Sequence, residues 1–77
     1  MVLAYVLIDT LPGSEESVNK MLTGMENVVE IYTLFGEYDI IIKVEAKDYS
    51  ALEKTMLKKI RNIKGILDTK TLMVIKI

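Results

Sequence analysis

The sequence predicts an α+β domain of βαββαβ order, in which a four-stranded antiparallel sheet carries two helices on one face. Three observations lead there. An apolar opening segment stops at Pro12-Gly13, two apolar alternating segments are separated by Gly36-Glu37 alone, and helical periodicity follows the opening segment and then the pair.

Residues 2–8 are continuously apolar and rich in β-branched and aromatic types, as a central strand is, and Asp9-Thr10-Leu11-Pro12-Gly13 reads as the turn that ends it. Ser14 offers an N-cap oxygen, and Glu15 and Glu16 put negative charge where a helix dipole favours it. Val18, Met21, Leu22 and Met25 follow at helical spacing, so the first helix is expected over 14–23. Gly24 is placed for a left-handed stop. Residues 28–35 and 38–46 form the second and third strands. In the third, Tyr38, Ile40, Ile42, Val44 and Ala46 share the core face. Asp48 caps a second helix whose Tyr49, Leu52, Met56, Ile60 and Ile63 face inward, with Lys54, Lys58, Lys59 and Arg61 turned to solvent. The methionines at 21, 25 and 56 read as core filler. Gly65 ends that connection, and residues 69–77 make the fourth strand. Two right-handed βαβ crossovers joined in this way give the ferredoxin-like arrangement with strand order 4-1-3-2. The whole chain, 1–77, forms one domain.

A sheet with both helices on one face should show a polar opposite face if that face met water. Here Leu3, Tyr5 and Leu7 oppose Val2, Ala4, Val6 and Ile8, and Val29, Ile31 and Phe35 oppose Val28, Tyr32 and Leu34. Both faces are apolar. A second sheet is expected to cover the open one, with Leu7 and Ile31 on the covered side, which makes the chain a sheet-to-sheet dimer or a larger assembly.

Composition narrows the chemistry. With neither cysteine nor histidine, the usual thiolate and imidazole groups for catalysis and metal binding are missing, and no cofactor is expected. Ten basic against eleven acidic residues give a net charge of −1, which disfavours direct nucleic-acid binding. No segment is long enough to span a membrane or built as a leader, so a cytoplasmic location is expected.

Gly36-Glu37-Tyr38-Asp39 between two strands, with Gly65-Ile66-Leu67-Asp68-Thr69-Lys70-Thr71 entering the last, resembles the RAM module, the effector-binding domain of Lrp/AsnC transcriptional regulators. The opening Ala4-Tyr5-Val6-Leu7-Ile8 is similar to that module's first strand. The helix-turn-helix reader that such regulators carry has no counterpart ahead of the first strand, so the chain resembles a stand-alone RAM module. The resemblance implies sheet-packed dimers, a ring commonly of eight subunits, a small amino acid held between dimers, and a possible pairing with full-length regulators of the family.

That resemblance maps the effector cleft onto Gly36, Tyr38 and Asp39, with Thr69 and Thr71 as second contributors. Asp39 would receive the ammonium, and Gly36 would let backbone approach the ligand. Each residue has a plainer account: Gly36 as a tight turn, Tyr38 as edge packing, Asp39 as a hairpin cap, Thr69 and Thr71 as ordinary strand residues. Three other readings share the element order. A dimeric α+β barrel enzyme needs a pocket histidine, tryptophan or asparagine. An ACT-like domain would bind its ligand near Thr10 to Ser14, and an RNA-binding sheet needs more exposed aromatics than Phe35.

Overall fold

Ala4, Val6 and Ile8 alternate with Leu3, Tyr5 and Leu7 along the first strand, and this alternation sets which way the sheet faces. In the computed structural model, which describes residues 1–75, β1 (Val2–Thr10) lies inside a sheet of order β2-β3-β1-β4, as expected. Its neighbours are β3 (Ile40–Ala46) and β4 (Ile66–Met73), and β2 (Val28–Thr33) forms the far edge beside β3. All pairs are antiparallel. Helices α1 (Glu15–Thr23) and α2 (Tyr49–Lys54) supply Val18, Leu22 and Leu52 to a core shared with Ala4, Val6, Ile8, Ile40, Ile42 and Val44. Each fully buried valine, leucine or isoleucine of this set contributes roughly 1.5–3 kcal/mol.

The helix ends differ from expectation in their chemistry. Ser14 precedes α1, but with φ −101° and ψ −1° its backbone is not extended and its hydroxyl makes no cap bond. Glu15 Oε1 accepts the Gly13 N–H at 2.9 Å, one residue ahead of the cap position, so this bond ties the preceding turn to the helix and caps no first-turn donor. Gly24 is not left-handed, having φ −81° and ψ −3°. Met21 is 60% exposed and so is not core filler, whereas Met25 packs on the core edge and Met56 is buried. Asp48 behaves as expected, with Oδ1 accepting the Ala51 N–H at 2.8 Å. Asp48→Ala should therefore cost about 1 kcal/mol in urea unfolding; an unmoved midpoint would show that this bond contributes nothing.

Beyond α2 the rod widens into a π-helical segment, Thr55–Ile60, in which the Arg61 N–H donates to the Met56 carbonyl at 3.1 Å. It begins where the Thr55 hydroxyl donates back to the Ala51 carbonyl at 3.1 Å, a bond of the kind that loosens helical turns. Leu52, Met56, Ile60 and Ile63 are buried along this rod, but Tyr49, at its start, is 52% exposed and not part of the core.

The faces of β2 also depart from simple alternation. Val28 stands opposite Val44, Glu30 opposite Lys43 and Ile31 opposite Ile42, so Val29 is one residue extra and forms a bulge. The bulge puts Val28 and Ile31 together against the core and leaves Glu30 and Tyr32 on the open face. The expectation that Ile31 lies on the open face is thereby corrected. Strand β4 begins at Ile66, three residues earlier than expected, and ends at Met73; Val74 adds one more bond, its N–H donating to the Leu3 carbonyl at 3.1 Å. The expected continuation over residues 76–77 lies outside the described residues.

The open face has an apolar centre of Leu3, Tyr5, Leu7, Ile41 and Leu72, bordered by a polar group on β2 and β3. There the Tyr32 hydroxyl donates to Glu30 Oε1 at 2.9 Å and Lys43 Nζ to Glu30 Oε2 at 3.2 Å. These two bonds hold the Glu30 carboxyl below its ordinary pKa, the tyrosine bond first, and the bond to the Glu30 carboxylate raises the pKa of Tyr32. The single chain exposes 5335 Å², against ~4,700 Å² for a typical monomer of its mass, and measures 34 × 22 × 17 Å.

Candidate functional site

The connection between β2 and β3 closes on itself and on β1. The Leu34 N–H donates to the Asp39 carbonyl at 2.8 Å, and the Asp39 N–H donates to the Ile8 carbonyl at 2.9 Å. Gly36, at φ +153°, turns the tip through a conformation that side chains rarely adopt, and a Cβ built there would meet open space. Phe35 beside it is fully exposed, and Tyr38 is half-buried.

Asp39 is the best-anchored residue of the group. Its Oδ2 accepts the Thr10 backbone N–H at 2.8 Å and the Thr10 hydroxyl at 2.9 Å, with Thr10 itself buried at the end of β1. These bonds hold the Asp39 carboxyl below its ordinary value, the backbone N–H being the larger cause. Asp9 moves the other way. Desolvation raises it first, then hydrogen bonding to Asp39 and repulsion from Asp39 and Asp68, the residue it faces across the β1–β4 pair. One end of the sheet thus holds an ionised, anchored carboxylate with two more close by, an arrangement that attracts a cationic group. Among the described residues no cluster of three or more such groups has the geometry of a metal site. On the helix side, Thr33 and Ile40 at the base of the same connection border a hollow of about 360 Å³ that Glu15, Glu16 and Asn19 also line.

Thr69 and Thr71 stand elsewhere. They pair with Ile8 and Val6 and so turn toward the helices, on the far side of β1 from Asp39. The Thr71 hydroxyl donates to the Met56 thioether at 3.8 Å and lines a separate cavity between the α2 rod and β4. Gly36, Tyr38 and Asp39 come together within one chain; the two threonines do not join them. Sequence reasoning missed Thr10, which it took as part of a turn. The available signal was parity, since Thr10 continues the buried series Ala4, Val6, Ile8 and is a polar residue where the core face ends.

A family model described as the Lrp/AsnC ligand binding domain matches residues 3–77. The HTH-type transcriptional regulator FL11 of Pyrococcus furiosus is 30% identical over 76 residues, which are 99% of this chain and 50% of the regulator. The homocitrate synthase of Sulfolobus acidocaldarius is 38% identical over 60 residues, 78% of this chain and 13% of the synthase. The crystal structure of FFRP-DM1 superposes with a TM-score of 0.95 at 39% identity, covering 97% of this chain and 100% of that one. The chain spans about half the length of the regulator and a small part of the synthase.

Proposed function

The chain belongs to the family of Lrp/AsnC ligand-binding domains, and from that premise we propose that it is a non-catalytic sensor, binding a small amino acid between subunits and signalling occupancy through its assembly. What a DNA-reading regulator and a biosynthetic enzyme share with this chain is a stretch of one module's length, and effector binding is a task that both could delegate to it. The observation that carries the site is Asp39, kept ionised by Thr10 beside the Gly36 turn. In this reading Asp39 receives the ligand ammonium, Gly36 and Tyr38 shape the wall, and a neighbouring copy brings Thr69 and Thr71 toward the cleft. The copies join through their open sheet faces, close into a ring of eight, and offer the same surfaces to full-length regulators of the family. The protein works in the cytoplasm without touching nucleic acid itself.

Asp39→Asn tests this reading, because the asparagine oxygen still accepts from Thr10 while the charge is gone. A thermal-shift screen of the free amino acids finds the effector, and calorimetry then compares the two proteins. The substitution should weaken binding roughly tenfold or more, the loss expected for a charge-assisted contact. Equal affinities in two well-folded proteins would remove Asp39 from the site.

A further inference from the structure

The open sheet face carries a charge pair where an apolar residue would make its patch continuous. Across one row of the sheet stand Glu30 on β2, Lys43 on β3, Tyr5 on β1 and Leu72 on β4, each opposite the next. Lys43 therefore lies on an inner strand, with apolar Ile41 beside it on the same face, and not at the rim, where lysines commonly blunt an edge strand. In the next row Tyr32 stands opposite Ile41, and Ile41 opposite Leu7. Lys43 and Glu30 form the one side-chain ion pair among the described residues.

Within one chain this pair is neutral but not saturated. Glu30 accepts from the Tyr32 hydroxyl through one oxygen and from the Lys43 ammonium through the other. The bond to Glu30 also holds Lys43 above its ordinary pKa, so both partners stay charged. An ammonium carries more N–H donors than one carboxylate oxygen can accept. The Lys43 side chain is 25% exposed and that of Glu30 42%, and water serves the remaining donors. A second sheet laid on this face removes that water. An apolar sheet would then leave the donors unsatisfied at the full cost of desolvation, whereas a second copy brings the Glu30 carboxylate and the Tyr32 hydroxyl on the same face.

We infer that Glu30, Tyr32 and Lys43 select the partner of the open face, admitting a second copy of this chain and rejecting sheets that offer no oxygen acceptors to Lys43; this rests on the sheet-to-sheet pairing of the proposed function. Affinity alone does not explain the charges. Apolar residues of similar volume commonly hold an interface as well as a buried ion pair does, or better. What the pair adds is choice. A lysine compensated by the right partner costs little, while the same lysine shut against an apolar surface is heavily penalised, and selectivity is the difference between the two.

The test is subunit pairing and exchange in the full chain, read by sedimentation and native mass spectrometry. It compares the parent, Glu30→Met, and an apolar triple variant that combines Glu30→Met, Tyr32→Phe and Lys43→Met. None of these residues belongs to the core, so the circular dichroism of each variant should match that of the parent. Glu30→Met leaves the Lys43 charge uncompensated and should weaken self-pairing roughly tenfold or more. The triple variant should pair with itself at least as tightly as the parent does. In an equal mixture with the parent it should form mixed pairs well below the statistical share, because the parent Lys43 then meets a sheet stripped of its acceptors. Mixed pairs at the statistical share overturn the selector and leave the sheet pairing standing. So does unchanged self-pairing of Glu30→Met, and so does a triple variant that pairs far more weakly than the parent, since the charges would then supply affinity and not choice. A parent that sediments as a single copy at millimolar concentration overturns the sheet pairing and the selector together.

Discussion

Gly65→Ala is expected to remove much of the stability of a subunit. Gly65 has φ +102°, and a Cβ there would lie 2.8 Å from Ser14 Cβ and 3.1 Å from Val18 Cγ2, at the point where the chain enters β4 beneath the start of α1. Backbone strain of ~1–3 kcal/mol adds to steric overpacking of ~1–3 kcal/mol. The sum is a large share of the ~5–15 kcal/mol that holds a typical domain together. The contact cannot relax cheaply, because the Gly65 carbonyl also accepts the Leu11 N–H at 2.8 Å, and Val18 is fully buried. Gly24→Ala is the matched control. At φ −81°, with Met21 O at 3.7 Å as the nearest contact, it should be neutral or stabilising by about 0.4–1 kcal/mol through the unfolded chain. Urea unfolding of both variants decides the matter, and a Gly65→Ala midpoint equal to that of the parent would refute the packing described for this corner.

The second large effect separates assembly from folding on two residues of similar hydrophobicity. Leu7 lies on the open face between Ile41 and Lys70, so Leu7→Glu places a carboxylate opposite a lysine on β4 and leaves the core untouched. The subunit should keep its circular dichroism but sediment as a single copy, since a charge now sits in the middle of the apolar patch that a second sheet would cover. Ile31 faces the other way, opposite Ile42 and against the core. Ile31→Lys should therefore destabilise the subunit itself by about 1–3 kcal/mol, the loss of a partly buried apolar side chain whose replacement can carry its charge out to water. Leu7→Glu sedimenting like the parent would show that some other surface holds the copies together.

The contrast between Leu7 and Ile31 also shows how far periodicity carries. For β1 and β3, alternation assigns every residue to its correct face, because one side is buried without interruption. For β2 it fails, because Val28 and Val29 are both apolar and an extra residue between paired positions leaves no mark on a one-dimensional pattern. The helix starts behave similarly. Ser14 has the chemistry of an N-cap, and only the folded backbone shows that its hydroxyl makes no such bond. At the candidate site Gly36, Tyr38 and Asp39 are legible because they are contiguous within a turn. Thr10, the partner that anchors Asp39, is 29 positions away and is brought there by the pairing of β1 with β3.

Composition and patterning alone determined the order of the elements, the strand order of the sheet, the helix face of β1 and β3, and an apolar surface in excess of what one subunit buries. These follow from local periodicity and from rules of connection that need no coordinates. Tertiary structure alone decided that Ile31 packs against the core, that Asp39 is anchored by Thr10, and that Thr71 looks into a hollow between the α2 rod and β4 and not toward Asp39. The physical reason is the same in each case. A bulge and a widened helical turn shift the phase of a pattern, a long-range hydrogen bond joins residues distant in the chain, and only the three-dimensional path of the backbone records either.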